Sequence, residues 1–309
     1  MSYIVVVGSV NMDLVVRTEW MPKAGETVKG ESFSTIPGGK GANQAVAVSR
    51  MGGAVKMVGA IGLDSFGREL KRSLESAGVD ITNVVEKDGV TTGTAFIIVD
   101  QAGDNRIISV PGANGRFLPE DVDNVESLIA GADIVIMQFE IPIRTIEYVT
   151  QLAARHAIPV ILNPAPAYFV PDALLKKVSV LIVNESEAEL FSGCPVVDIN
   201  SGFLAAEILR VKGIETVIVT LGKRGALTVR ENLRFHAPAR EVEVVDTTAA
   251  GDTFVGAFAV ARIEGKEMEE ALELAVAAGT LSVTRFGAQP SIPTRQDVQQ
   301  FLQLQGAHI

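Results

Sequence analysis

Cysteine occurs once in the 309 residues, at Cys194, and histidine only three times. A single cysteine excludes an intrachain disulfide and a cysteine-rich metal site, and its expected place is among small buried apolar side chains. The histidines, His156, His236 and His308, are scattered, so neither a histidine metal site nor a serine triad gains support. Basic charge is also scarce: 27 Lys and Arg against 37 Asp and Glu leave a formal net charge of -10. With no basic patch, neither nucleic acid nor an anionic membrane is an expected partner, and any phosphate must be held locally. No apolar run reaches membrane-spanning length, and the N-terminus enters a strand at Tyr3-Ile4-Val5-Val6-Val7 without a basic stretch or cleavage site. A cytoplasmic protein is the expectation.

What is present is an ordinary globular composition, 47% hydrophobic and 21% charged, long enough for one large α/β core. Ile4 to Val7 is a short apolar run closed by Gly8-Ser9, the pattern of a buried parallel strand. Between 14 and 36 the helical period is lost, and a hairpin is predicted from Thr94–Val99 and Arg106–Val110 around Asp100 to Asn105. Ala95 to Val99 is apolar at both parities, so that strand needs cover on both faces. These two insertions, about 14–36 and 94–110, are expected to form a small β-sheet lid on a single α/β domain spanning 1–309. The lid's second face is expected to meet another subunit or the substrate; extra strands of the main sheet are the alternative. Elsewhere the pattern alternates: helices near Ser65–Ala77, Glu120–Ala130 and Thr145–His156, and strands near Lys56–Ile61, Asp133–Gln138, Pro159–Leu162, Val178–Val183 and Thr216–Thr220. Such alternation specifies a largely parallel sheet with helices on both faces.

Polar residues gather where strands end, the edge at which open α/β sheets bind ligands. Asn11 and Asp13 follow the first strand, Glu140 the strand ending at Gln138, Asn184 its own strand, and Thr220-Leu221-Gly222-Lys223-Arg224-Gly225 another. Asn184 and Glu187 also have the spacing of a helix cap with its reciprocal acid. Pro37-Gly38-Gly39-Lys40-Gly41-Ala42-Asn43-Gln44 opens a helix and places Lys40 and Asn43 on one face of its entrance. Gly41 stands where a P-loop needs Ser or Thr, so this is a cradle of another kind. The chain is organised around Asp246-Thr247-Thr248-Ala249-Ala250-Gly251-Asp252, which leads into an apolar helix. The start of that helix offers unpaired peptide N–H groups and a positive dipole end to an anion, and Asp252 stands beside it as a candidate general base.

Together these stretches, with Asn163-Pro164-Ala165-Pro166-Ala167 and Arg285-Phe286-Gly287-Ala288-Gln289-Pro290-Ser291, resemble the carbohydrate kinase family of ribokinases, adenosine kinases and fructokinases over essentially the whole length. The resemblance implies a ribokinase-like three-layer sandwich with a mostly parallel central sheet and a small β-sheet lid. It implies ATP-dependent phosphorylation of a sugar's primary hydroxyl, with D-ribose favoured over 2-deoxyribose, fructose or a nucleoside, and over a non-catalytic binding regulator. Asn11, Asp13, Gly39, Lys40, Asn43 and Glu140 would hold the sugar, Asp252 would be the base, and Ala249, Ala250 and Gly251 with Asp252 would form the anion hole. Asn184 and Glu187 would lie near the phosphates and the water shell of Mg²⁺, and Thr220, Gly222 and Gly225 would line the nucleotide cleft. A K⁺ site is implied at Asp246 and Ser291 with backbone oxygens of Thr248, Ser282, Arg285 and Gly287. Val276 and Val255 depart from the family pattern near the adenine and the helix start. A homodimer joined lid to lid is expected.

Overall fold

The computed structural model describes residues 2–168 and 170–304, so His308 lies outside the described residues. The first strand, β1 (Ile4–Val7), is four β-branched residues with no exposed face. Branched side chains pack well on both faces of a central parallel strand. It leads directly into the small sheet through β2 (Asn11–Thr18) and β3 (Gly30–Gly38). Next come β4 (Val55–Gly62), β5 (Asp80–Lys87), β6 (Gly93–Val99), β7 (Asn105–Val110) and β8 (Ile134–Gln138). The remaining described strands are β9 (Val160–Asn163), β10 (Val180–Asn184), β11 (Thr216–Thr220), β12 (Ala226–Arg230) and β13 (Leu233–Ala237).

Nine of these strands form the main sheet in the order β13-β12-β11-β10-β9-β8-β1-β4-β5, parallel except for the antiparallel β12. Because side chains alternate along a strand, Ile4 and Val6 enter one apolar layer while Val5 and Val7 enter the other. The first layer packs under helices α1 (Lys40–Arg50), α6 (Ala250–Ile263) and α7 (Met268–Ser282), with α2 (Ser65–Ser76) at its border. The second packs under α3 (Ile143–Arg155), α4 (Glu185–Ser192) and α5 (Ile199–Val211). A last helix, α8 (Arg295–Leu304), docks its Val298 into the first layer. This is the expected three-layer sandwich. Helices α1 and α6 touch closely because Gly256 has no side chain; a Cβ there would stand 2.5 Å from the Cβ of Ala47.

The small sheet has the order β3-β2-β6-β7 and is separate from the main one. It starts earlier and ends later than the expected 14–36 segment, because Asn11 pairs with Gly38 and with Gly93 in the first register of the ladder. Asn11 and Asp13 are therefore part of a small-sheet strand rather than a loop after β1. The helix expected over Glu120–Ala130 is broken into Pro119–Val122, a 3-10 turn at Asp123–Val125 and Glu126–Ala130. Asp121 bonds locally instead of supporting a continuous helix, accepting from the Leu118 N–H, while Asp123 accepts from the Tyr148 hydroxyl of α3. Cys194 is also not buried as expected; it is half-exposed in the turn that follows α4, where Gly193 adopts a left-handed conformation.

Candidate active site

Three segments converge on Asp252. Helix α6 begins after Ala249, whose φ of 61° is left-handed, a conformation costing about 1–3 kcal/mol in a residue with a Cβ. The Ala249 carbonyl accepts from both the N–H and the hydroxyl of Thr253 at 2.8 Å, which holds the turn. Gly251 and Asp252 fall in the first helical turn, where peptide N–H groups have no partner within the helix. No heavy atom would come within 4 Å of a Cβ on Gly251, so this end of the helix opens onto free space. An anion can approach it directly.

Asp252 itself is 5% exposed, and both of its oxygens are occupied. Oδ2 accepts from Asn43 Nδ2 and Oδ1 from Gln44 Nε2, each at 2.9 Å. The Oδ1 of Asn43 is buried and has no hydrogen-bond partner among the described residues, which leaves an acceptor beside the carboxylate. Lys40 is the first residue of α1; its N–H donates to Glu140 at 3.0 Å, and the Ser9 hydroxyl donates to the same Glu140 oxygen at 2.5 Å. The turn before α1 needs glycine at Gly39: its φ is 89°, and a Cβ would lie 2.7 Å from the Asn11 nitrogen. On the small-sheet side, Asn114 Nδ2 donates to Asn11 Oδ1 at 2.7 Å and to the Val10 carbonyl, which fixes which way the Asn11 amide points.

The electrostatics follow from this crowding. Burial pushes Asp13 up to about 7, with Glu140 and Asp252 adding to the rise and Lys40 opposing it. Burial opposes the charge of Lys40, but Asp252, Glu140, Glu187 and Asp13 together hold its pKa above the ordinary lysine value. Glu187 is raised, chiefly by burial. It also completes the capping box foreseen with Asn184, each backbone N–H donating to the other's side chain at 2.9 Å. Capping and proximity to the site therefore coexist in Glu187.

Asn11, Asp13, Gly39, Lys40, Asn43, Glu140 and Asp252 are thus brought to one place, with Glu187 within electrostatic reach. Asp246 lies in a second cluster: Oδ1 accepts from the N–H and hydroxyl of Thr248, and Oδ2 from the Gly287 N–H at 2.9 Å. Ser282 and Ser291 are buried nearby in sequence but donate to the Gly279 and Ala288 carbonyls, and Arg285 pairs with Asp297. Arg17 of β2 stacks on Phe286, 5.0 Å from the ring centre, so the small sheet touches this second cluster. Thr220 ends β11; Gly222 faces open space, whereas Gly225 is packed against the Ala237 carbonyl. Val255 and Val276 are both buried in helices. Among the described residues no group of three His, Cys, Asp or Glu side chains could hold a metal ion. Nor is any described helix long and apolar enough to cross a membrane.

Gln44, Gln138 and Asn114 are polar residues of the site that sequence reasoning passed over. The signal for Gln44 was adjacency to Asn43, but a glutamine near a helix start reads as solvent-facing. In the structure α1 is buried from Gly41 through Val48, so it has no solvent face there.

A carboxylate beside an open helix start, facing a polar cradle at the edge of a parallel sheet, defines a phosphotransferase that acts on a hydroxyl group. The pfkB family carbohydrate kinase model matches residues 1–295, and the chain belongs to that family. A ribokinase from Haemophilus influenzae is 41% identical over 298 residues, covering 96% of this chain and 97% of that one. A deoxyribokinase from Salmonella typhi is 36% identical over 302 residues, covering 97% and 99%. Among solved structures, an Arabidopsis thaliana ribokinase complexed with ribose and ATP superposes with a TM-score of 0.92 at 35% identity, covering 98% of this chain and 99% of that one.

Proposed function

We propose that the protein transfers the γ-phosphoryl group of ATP to the primary hydroxyl of D-ribose, giving D-ribose 5-phosphate and ADP. The observation that carries this reading is Asp252 held between two amides at the open start of α6. Asp252 takes the hydroxyl proton as the oxygen attacks, and the N–H groups of the Ala249 to Asp252 turn receive the charge on the transferring phosphoryl. Asn11, Asp13, Gly39, Lys40, Asn43 and Glu140 hold the sugar; polar groups of both kinds suit hydroxyls, which donate and accept. Catalysis is then mostly positioning and charge stabilisation. Asn184 and Glu187 face the phosphates and the hydrated Mg²⁺ that accompanies ATP, and Thr220, Gly222 and Gly225 border the nucleotide. The second reading is a different small acceptor, 2-deoxyribose first, which the similarity to a deoxyribokinase favours.

Asp246, Ser291 and backbone oxygens of Thr248, Ser282, Arg285 and Gly287 would make an all-oxygen set suited to a monovalent cation, and Asp246 is joined to Thr248 and Gly287 by hydrogen bonds. K⁺ bound there supplies positive charge beside the anion hole. A coupled ADP-release assay over a panel of pentoses, hexoses and nucleosides tests the whole reading. D-ribose is expected to give the largest kcat/KM, and the rate in Tris buffer is expected to rise on adding K⁺. A preference for 2-deoxyribose installs the second reading; a rate indifferent to K⁺ removes the cation from Asp246.

The chain works as one domain with the small sheet as its lid, in the cytoplasm, and pairs with a second copy through that sheet. Phe33, Phe96, Ile107 and Ile108 support the pairing: they are 47–66% exposed, and consecutive Ile107 and Ile108 point to opposite faces of an edge strand. Light scattering at micromolar concentration is expected to give twice the 32.7 kDa chain mass. A monomer mass ends the dimer proposal.

A further inference from the structure

Gln44 is completely buried, and every polar atom of its side chain is committed. Its Oε1 accepts from Gln138 Nε2 at 2.6 Å. Its Nε2 has two hydrogens; one goes to Asp252 Oδ1 at 2.9 Å and the other to Asn163 Oδ1 at 3.2 Å. Asn163 cannot turn away, because its own Nδ2 donates to the Ile182 carbonyl at 3.0 Å. Gln138, at the end of β8, presents its NH₂ group to Gln44 from the other side. A flipped Gln44 amide would set oxygen against the oxygens of Asp252 and Asn163, and NH₂ against NH₂. The direction of the amide is therefore fixed by three strands and one helix, and it ends on the carboxylate.

We propose that Gln44 is a positioning residue for the phosphoryl transfer: held by Gln138 and Asn163, its amide fixes the Asp252 carboxylate at the angle from which it takes the hydroxyl proton. Asn43 restrains the second oxygen, so Asp252 cannot rotate about its Cβ–Cγ bond without losing a buried hydrogen bond. A base displaced by about 1 Å loses roughly two orders of magnitude in rate. Gln44 does this with no polar atom left over for the sugar, since its two donors and its acceptor are all spent inside the protein. The inference rests on Asp252 being the base.

The test is steady-state kinetics of D-ribose phosphorylation at one fixed pH, because Lys40, Asp13 and Glu187 all bear electrostatically on Asp252. Gln44→Glu keeps length and volume but turns an oxygen toward Asp252 and Asn163. Its kcat is expected to fall at least tenfold with the KM for ribose within threefold of wild type. In an Asp252→Ala background the same substitution is expected to cost less than a further threefold, as for a residue that acts only through Asp252. A kcat loss under tenfold, or a full tenfold loss on top of Asp252→Ala, overturns the role of Gln44. Should Gln44→Glu fail to fold by circular dichroism, Gln138→Met, which removes the group orienting the amide, is expected to lower kcat at least fivefold at unchanged KM; a smaller loss overturns the proposal. Wild-type kcat in Asp252→Ala would instead remove the base itself. An inactive Asp252→Ala beside an unimpaired Gln44→Glu removes Gln44 alone.

Discussion

Asp252→Ala is expected to lower kcat about a thousandfold, the usual range for a lost general base, with sugar binding by calorimetry changed only a few-fold. The rate falls because the neighbouring carboxylates are engaged elsewhere: Glu140 accepts from the Ser9 hydroxyl and the Lys40 N–H, and Glu187 from the Asn184 N–H. The substitution also strands Asn43 Nδ2 and Gln44 Nε2, each of which now gives its hydrogen bond to the carboxylate. Stranded buried donors cost about 1–3 kcal/mol each when nothing replaces their partner. The vacated volume gives room for water, so the folded protein is expected to survive with a lower melting temperature. Asp252→Asn is the poorer probe, because its NH₂ must face one of two NH₂ donors. Turnover within tenfold of wild type in a folded Asp252→Ala protein would remove Asp252 from proton transfer.

The KM for ribose is expected to rise about tenfold between pH 8 and pH 6. Burial holds Asp13 at about 7, and in the proposed cradle sugar hydroxyls would donate to its ionised form. Affinity is therefore full above pH 7 and declines about tenfold per unit well below it. The stability of the sugar-free protein runs the other way. Because the folded pKa of Asp13 lies above the unfolded carboxylate value, its contribution is fully present below pH 4 and is lost as the pH rises through 7. The melting shift produced by ribose should accordingly be larger at pH 8 than at pH 6. Asp13→Asn is expected to flatten the KM profile while raising KM throughout. A wild-type KM constant within twofold from pH 6 to pH 8 would show that Asp13 does not titrate against the sugar.

The parallel core was legible because burial on both faces leaves one kind of sequence, the continuous branched run of β1, β8 and β10. Strand β5 escaped because only Ile81 and Val84 of Asp80–Lys87 are buried, a spacing that is not the alternation of a strand, and its polar residues read as a loop. The β12–β13 hairpin at the other edge escaped for a related reason: Thr220 to Gly225 reads as a ligand loop, and its 3-10 turn at Gly222–Arg224 is at the same time a tight connection into the antiparallel β12. In the candidate site, residues at strand ends and helix starts were readable, since position alone marks Asn11, Lys40, Glu140 and Asp252. Gln44 and Gln138 were not. Their partners lie 208 and 94 residues away in sequence, Asp252 for one and Gln44 for the other, and no local pattern encodes such a pairing.

The division of the proposed cradle between the small sheet and helices of the main domain has a bearing on selectivity. Asn11 and Asp13 ride on β2 of the small sheet, whereas Lys40, Asn43 and Asp252 stand on helices of the main layer. On the proposed assignment a ligand must reach across to satisfy both sets, so the pocket would act as a ruler as well as a reader of hydroxyls. A two- or three-carbon polyol would satisfy one side only and forfeit the binding energy of reaching the other. Water, the shortest acceptor of all, would span nothing, so on the proposed assignment the geometry that suits a pentose would also disfavour idle hydrolysis of the nucleotide.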